Sequence, residues 1–290
     1  TGARCWRPFQ AEPLQRTKIL VSVDIEGIAG VLNREQTRAG NPEYERARRW
    51  MTAEADAAVR GAFDGGADEV VVNDSHGGYA NLLPDQLDAR AQVLLGKPRR
   101  LGMMAGVEGA AGVLMVGWHA RAGSAGVLAH TINSGAFGRI WLGGEELGEA
   151  GLYAALAGEH GAPVLLASGC DAFAAQTQPL LPGARFVVVK QAGGASSGCS
   201  WTPARACEAI ATASAAVVRA ARDGNAPAPL RLALPGECRL QCLSTAHADL
   251  FALLPQLDRI DALTLRFDAP DAGHALRMLN AISAMALSLR

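Results

Sequence analysis

Two carboxylates, Asp24 and Glu26, stand two positions apart at the end of the apolar run Ile19-Leu20-Val21-Ser22-Val23. A largely β-branched run of this kind suits a strand covered on both faces. In extended chain, residues i and i+2 point to the same side, so the two charges are expected to emerge together. Like charges side by side raise each other's pKa, and burial raises both further. A multivalent cation removes that conflict, which makes Asp-x-Glu one half of a metal site. The plainer alternative is a solvated strand end at which Asp24 caps the next turn. Two more strand-like runs end in possible ligands. Val70-Val71-Val72 leads into Asn73-Asp74-Ser75-His76, and the run 112–117 leads into Trp118-His119. Ligands gather at the carboxyl ends of strands in open parallel sheets. A lone histidine is more often a core or surface residue, but two at corresponding strand ends beside paired carboxylates favour ligation. Gly27, Gly77 and Gly117 beside them allow close backbone approach. Glu149, between Gly148 and Gly151 in an otherwise apolar helical stretch, is a fifth candidate, with an exposed helix position as its alternative. Five N and O donors suit zinc and exceed what one tetrahedral ion with an open water position takes. Two ions sharing a bridging carboxylate use them all.

The elements that must position these residues are legible in outline. Asn41-Pro42-Glu43 reads as a helix start, with Asn41 as cap and Pro42 in the first turn. Ala47, Met51, Ala55, Ala58, Val59 and Ala62 form an apolar stripe at helical spacing, and Gly65-Gly66 ends it. Strand, helix, strand in this order predicts a right-handed βαβ unit. Further strands are expected at 164–167 and 186–189, the latter ending at Lys190. A helix is expected over 146–161, a flexible loop at 193–198 and a helix from about Pro203. Asp223-Gly224-Asn225-Ala226-Pro227-Ala228-Pro229 reads as a linker. Short strands (230–234, 262–267) and helices (247–254, 271–287) are expected beyond it. The fold class is α/β: three layers, with a mainly parallel sheet flanked by helices and a smaller α+β C-terminal part. Residues 18–222 form the metal-binding domain, 230–290 the smaller part, free to pack as one unit with it, and 1–17 an N-terminal extension.

Composition narrows the classes. The chain has 290 residues, 49% hydrophobic and 19% charged, with a formal net charge of −1, as in ordinary globular proteins. That balance gives no footprint for nucleic acid or an anionic membrane, and no apolar run is long enough to span a bilayer. The six cysteines are too scattered for a disulfide framework, and Cys238-x-x-x-Cys242 has no second ligand pair nearby for zinc. Reduced thiols and a cytoplasmic location are the expectation.

Four motifs in order then carry a resemblance. Ser22-Val23-Asp24-Ile25-Glu26-Gly27-Ile28-Ala29-Gly30, Val72-Asn73-Asp74-Ser75-His76-Gly77, Gly117-Trp118-His119-Ala120-Arg121-Ala122-Gly123 and Leu128-Ala129-His130 resemble the motifs of the M55 family of D-aminopeptidases, historically called dipeptide transport proteins. The resemblance runs from about Lys18 to the C-terminus and includes Leu147-Gly148-Glu149-Ala150-Gly151-Leu152. It implies an α/β fold with two Zn2+ per chain, held by Asp24, Glu26, His76, His119 and Glu149, with Asp24 as the bridge. It implies His130 as the catalytic histidine beside the metals, short peptides as substrates, and ring-shaped homo-oligomers, typically decamers. The resulting expectation is a dinuclear zinc aminopeptidase releasing the N-terminal residue, D-residues included. Its rivals are a metal-dependent amidase or esterase on a non-peptide substrate, and a non-catalytic peptide-binding transport component. One departure stands out: where family members carry a basic residue in the loop after Lys190, this chain has Gly193-Gly194-Ala195-Ser196-Ser197. That departure bears on substrate recognition, including the preference for D-residues. Asp74, Asn73 and Ser75 are expected either to orient His76 or to satisfy the turn backbone.

Overall fold

The computed structural model describes residues 16–289; the proposed extension at 1–17 lies almost wholly outside them. Strand β1 (Lys18–Val23) leads through a long loop carrying the 3-10 turn Arg34–Thr37 to helix α1 (Pro42–Asp64) and strand β2 (Glu69–Asp74). Asn41 caps α1 by accepting from the Tyr44 amide at 3.0 Å, with Pro42 in its first turn. Strands β3 (Gln92–Leu94) and β4 (Gly112–Trp118) follow, then β5 (Phe137–Leu142) and β6 (Glu145–Glu146). Next come α2 (Glu149–Glu159), β7 (Val164–Cys170), α3 (Asp171–Thr177), β8 (Arg185–Gly194), β9 (Ser197–Ser200) and α4 (Pro203–Arg222). The chain closes with β10 (Gly236–Cys242), α5 (Thr245–Phe251), β11 (Asp258–Arg259), β12 (Thr264–Ala269) and α6 (Ala272–Met285).

Seven strands form the central sheet in the order β3-β2-β1-β4-β7-β8-β9, parallel throughout except for the β8–β9 hairpin. Alternation along β1 explains its near-continuous apolar sequence. Ile19, Val21 and Val23 join the core under α1 and α4, whereas Leu20 faces the opposite core with Val71, Val113 and Met115. Each such side chain, fully removed from water, contributes about 1.5–3 kcal/mol, so β1 is fixed at the sheet centre by both faces. Helices α1 and α4 approach closely: a Cβ at Gly61 would sit 2.3 Å from the Ala211 carbonyl oxygen. The other core runs without interruption from the sheet through α2 to Phe267, Leu276 and Leu279.

A second, antiparallel sheet has the order β11-β12-β10-β5-β6, so the C-terminal strands pair with strands from the middle of the chain. Three local expectations need correction. Residues 230–234 form no strand; the strand starts after Pro235, whose ring nitrogen cannot donate to a ladder, and 230 instead presses on α2, where a Cβ at Gly158 would meet the Leu230 carbonyl oxygen at 2.0 Å. The helix expected from 146 starts at Glu149, because Glu145–Glu146 pair with β5. The segment 193–198 is the end of a hairpin rather than a loose loop, since β8 continues to Gly194 and β9 begins at Ser197.

Candidate metal centre

Asp24, His76 and His119 follow the carboxyl ends of β1, β2 and β4, three adjacent strands. Strand β1 stops at Val23, so Asp24 and Glu26 lie in a turn and not in extended chain as the spacing predicts. The Asp24 amide donates to the Val116 carbonyl at 2.9 Å and the Gly27 amide to the Gly117 carbonyl at 2.7 Å, which folds the turn onto β4. No side chain fits there: a Cβ at Gly27 would lie 2.0 Å from the Trp118 carbonyl oxygen. The buried Lys190 ammonium donates to the carbonyls of Glu26, Ile28 and Val31 at 2.6, 2.9 and 2.5 Å. Burial pushes its pKa down to about 8. From α1, the Glu54 carboxylate accepts from the Ala29 amide at 2.8 Å, and burial pushes its pKa up to about 7.

Asp24 divides its two oxygens between the two strand-end histidines. Oδ1 lies 3.2 Å from His76 Nδ1, and Oδ2 lies 3.3 Å from His119 Nε2. His76 Nδ1 is also 3.1 Å from Glu26 Oε2, and His119 Nε2 is 3.4 Å from Glu149 Oε1. Glu149, the first residue of α2, is held by the Ile132 amide at 2.6 Å. The five residues thus fall into two groups sharing Asp24.

The proton positions follow from the acceptors. His76 Nε2 faces the Thr37 carbonyl at 2.8 Å, and His119 Nδ1 faces the Ala120 carbonyl at 3.0 Å. A carbonyl only accepts, so those nitrogens carry hydrogen and the opposite nitrogens turn toward carboxylates. A lone pair against a carboxylate is repulsive unless a cation, metal or proton, lies between them. Glu26 Oε2 and His119 Nε2 are buried without a hydrogen-bond partner, although Glu26 Oε2 lies 3.1 Å from His76 Nδ1 and His119 Nε2 lies 3.3 Å from Asp24 Oδ2. Donors ~2.0 Å from one tetrahedral zinc stand ~3.3 Å apart, close to the separations here. An N–H bound to a backbone carbonyl is also the usual way of orienting a metal-ligating imidazole. The residues therefore fit zinc. The same closeness sets the titration. Burial disfavours charge on His76 and His119, but the carboxylates of Glu26, Glu149 and Asp24 outweigh it and hold both pKa values well above the ordinary imidazole range. Burial likewise raises Asp24, yet the adjacent imidazoles of His119 and His76 leave it below the usual carboxylate range.

The M55 family model, described as D-aminopeptidase, matches residues 17–281. The chain belongs to the M55 peptidases. It is 35% identical over 190 residues to a D-aminopeptidase of Bacillus subtilis (strain 168), covering 65% of this chain and 69% of that protein. It also matches the structure described as a Zn-dependent D-aminopeptidase DppA from Bacillus subtilis, a self-compartmentalizing protease. The TM-score is 0.87 at 28% identity, over 93% of this chain and 98% of the other. The α/β fold, with its mainly parallel sheet flanked by helices, is that of this M55 structure.

Within this M55 chain His130 stacks on His119, ring centroids 4.1 Å apart and 9° from parallel. Its Nδ1 donates to the Leu128 carbonyl at 3.0 Å, which leaves Nε2 as its free position, 3.7 Å from Glu149 Oε1. Leu128 and Ile132, on either side, hold φ of +52° and +58°, values that non-glycine residues rarely adopt. Such backbone costs about 1–3 kcal/mol per residue and tends to persist where a site needs it. Here Leu128 orients His130, and Ile132 holds Glu149.

A cleft of about 970 Å³ opens over the centre, lined by Asp24, Glu26, His76, His130 and Glu149. A side pocket of about 210 Å³ adjoins it, between Glu26, Leu128, His130, Ala195 and Ser196. The cleft wall carries residues that sequence reasoning missed: Arg34, Arg38, Lys97 and Arg99, with Tyr79 and Tyr153. The Thr37 carbonyl that orients His76 was also missed, though Asn33 and Gln36 form a capping box around the short 3-10 turn that presents it. Asp74 proves to satisfy the turn backbone, accepting from the Asn81 and Leu82 amides at 2.5 and 2.7 Å. Asn73 holds the carbonyls of Gly102 and Ala105, and Ser75 pairs with Ser22.

Proposed function

We propose that this protein is a zinc-dependent aminopeptidase that releases the N-terminal residue, D-residues included, from short peptides. In this reading two zinc ions are held by two ligand groups, His76–Glu26–Asp24 and His119–Glu149–Asp24. The observation that carries it is the division of the Asp24 carboxylate between two imidazoles, at 3.2 and 3.3 Å. When bound, zinc ions acidify a water and polarise a carbonyl, which is the chemistry amide hydrolysis needs.

The rest falls to the chain. The five candidate ligand side chains are buried or nearly so, and backbone groups of Thr37, Ala120 and Ile132 orient His76, His119 and Glu149, so the geometry is set before substrate arrives. His130 holds or moves a proton at Nε2, because Nδ1 is committed to the Leu128 carbonyl. The cleft of about 970 Å³ admits a short extended peptide, and its cationic wall of Arg34, Arg38 and Lys97 suits the free carboxylate of such a peptide. All five ligands and His130 fall within 18–222, while 230–290 completes the core beneath α2. A closed assembly such as a ring-shaped decamer is consistent with the self-compartmentalizing relative and with exposed Leu253 and Leu287. Five unpaired cysteines among the described residues suit a reducing, cytoplasmic setting, and no described helix is long and apolar enough to cross a membrane.

The test is hydrolysis of matched D- and L-dipeptides and aminoacyl amides by protein as purified, stripped by chelator, and reloaded with zinc. Activity lost on stripping and restored by zinc, with peptides needing a free amino terminus, is the expected result. Metal-dependent cleavage of esters or blocked amides alone would replace the aminopeptidase reading with a different hydrolase.

A further inference from the structure

One buried ionisable group has no part in the reaction just described, although it adjoins the site. Lys190 on β8 is 2% exposed, and its ammonium does not line the cleft. All three of its N–H donors are used, on the carbonyls of Glu26, Ile28 and Val31. Among the described residues it forms no ion pair with a carboxylate. Taking an ammonium out of water is costly, and a methionine of similar length would fill the same space without that cost. Packing therefore does not account for the charge. The three converging carbonyls do: they belong to one loop, and without the ammonium those of Glu26 and Val31 would lose their donor, only the Ile28 carbonyl having a second one in the Val31 amide at 3.1 Å.

That loop begins at Glu26. Two of its amides are also held from outside, that of Ala29 by Glu54 and that of Gly30 by Ser200 Oγ at 2.8 Å. The other ligands have separate supports. Asp24 is fixed by the Val116 carbonyl, His76 by that of Thr37, His119 by that of Ala120, and Glu149 by the Ile132 amide. Among the five, only Glu26 is bonded to Lys190.

We infer that Lys190 is a positioning residue for Glu26: by gathering the carbonyls of 26, 28 and 31 it sets the backbone from which the Glu26 carboxylate projects, and so tunes metal affinity in the His76–Glu26 half of the centre alone. This rests on the two-ion reading above. The experiment is equilibrium titration of the stripped, full-length protein with zinc. Cobalt absorption spectra then identify which half is filled. Wild type, Lys190→Met and Lys190→Gln are compared, with Glu26→Gln as the standard for a damaged half.

Wild type is expected to bind two ions. Lys190→Met is expected to keep one at wild-type affinity and to weaken the other by about 10–100-fold, the usual effect of removing a group that supports a ligand. Its residual cobalt spectrum should match that of Glu26→Gln. Lys190→Gln, which retains two N–H donors, should weaken the same ion by less. Two ions bound within about twofold of wild type by Lys190→Met would overturn the inference. So would parallel loss of both ions in both variants, by unfolding or otherwise, because that assigns Lys190 to the fold at large. A wild type that binds one ion removes the two-ion reading itself and this inference with it.

Discussion

Replacing Asp24 by alanine tests the centre most directly, because that one carboxylate lies 3.2 Å from His76 and 3.3 Å from His119. If it bridges, the substitution takes one donor from both groups at once. A structural zinc with four protein ligands binds with about 10–16 kcal/mol, or roughly 2.5–4 kcal/mol per ligand. At 1.4 kcal/mol per decade that is about a 10²–10³-fold loss for each ion. The same arithmetic applied to Glu26→Ala or Glu149→Ala predicts a loss of that size for one ion only, since each carboxylate has one strand-end histidine at ion-pair distance, His76 at 3.1 Å and His119 at 3.4 Å. Equilibrium dialysis against buffered zinc, followed by elemental analysis, reads both numbers. The expected pattern is two weakened ions in Asp24→Ala and one in each glutamate variant. Asp24→Ala that retained one ion at wild-type affinity would refute the bridge, and full retention of both would refute the ligand set.

His130→Ala is expected to keep its metal and to lose kcat by about 10²–10⁴, the usual contribution of a positioned acid–base group. Loss of metal would instead make His130 a ligand of the Glu149 group, 3.7 Å from its carboxylate. Ala195→Arg places a cation beside the side pocket next to His130, and a charged contact there is worth on the order of 1–3 kcal/mol. It should sharpen the ratio of kcat/KM between matched D- and L-dipeptides by about tenfold or more, and an unchanged ratio would remove the hairpin from specificity. Glu54 supplies a pH test. Its pKa is raised from 4.5 to about 7, so its contribution to stability is full below 4.5 and is lost as pH rises through 7. The loss amounts to at most about 3 kcal/mol. Denaturant unfolding of Glu54→Gln against wild type at pH 5 and pH 8 should therefore favour the variant more at pH 8, and an equal difference at both would show that Glu54 does not titrate in this range.

The candidate ligands at the strand ends were legible because each follows an apolar run that only a buried strand explains, and the α1 stripe and its Asn41 cap were legible for the same kind of reason. The pairing of Asp24 with Glu26 was expected on the wrong ground. Spacing predicted two side chains on one face of a strand, whereas a turn pinned by Gly27 against β4 brings them together. Thr37, Ala120 and Leu128 could not be found this way, since they act through carbonyls that every residue possesses. The second sheet was only half visible, because β5 gains its meaning from pairing with β10, about a hundred residues further on, and long-range pairing leaves no local periodicity.

The β8–β9 hairpin ties these threads together. At its root Lys190 pairs with Ser200, and both reach the 26–31 loop, through the ammonium and through the Gly30 amide. At its tip the Ala195 carbonyl accepts from the Leu128 amide at 2.9 Å, the same residue whose own carbonyl orients His130. One hairpin therefore holds the Glu26 loop at one end and the His130 loop with its side pocket at the other. The Ala195 bond is made by backbone, so it survives Ala195→Arg, and the new side chain changes only what the pocket accepts. Metal affinity in that variant should stay within about twofold of wild type, while the D-to-L ratio moves. Loss of metal in Ala195→Arg would mean that the tip transmits strain to Lys190 through the ladder, and that selectivity and metal binding are a single property of this hairpin.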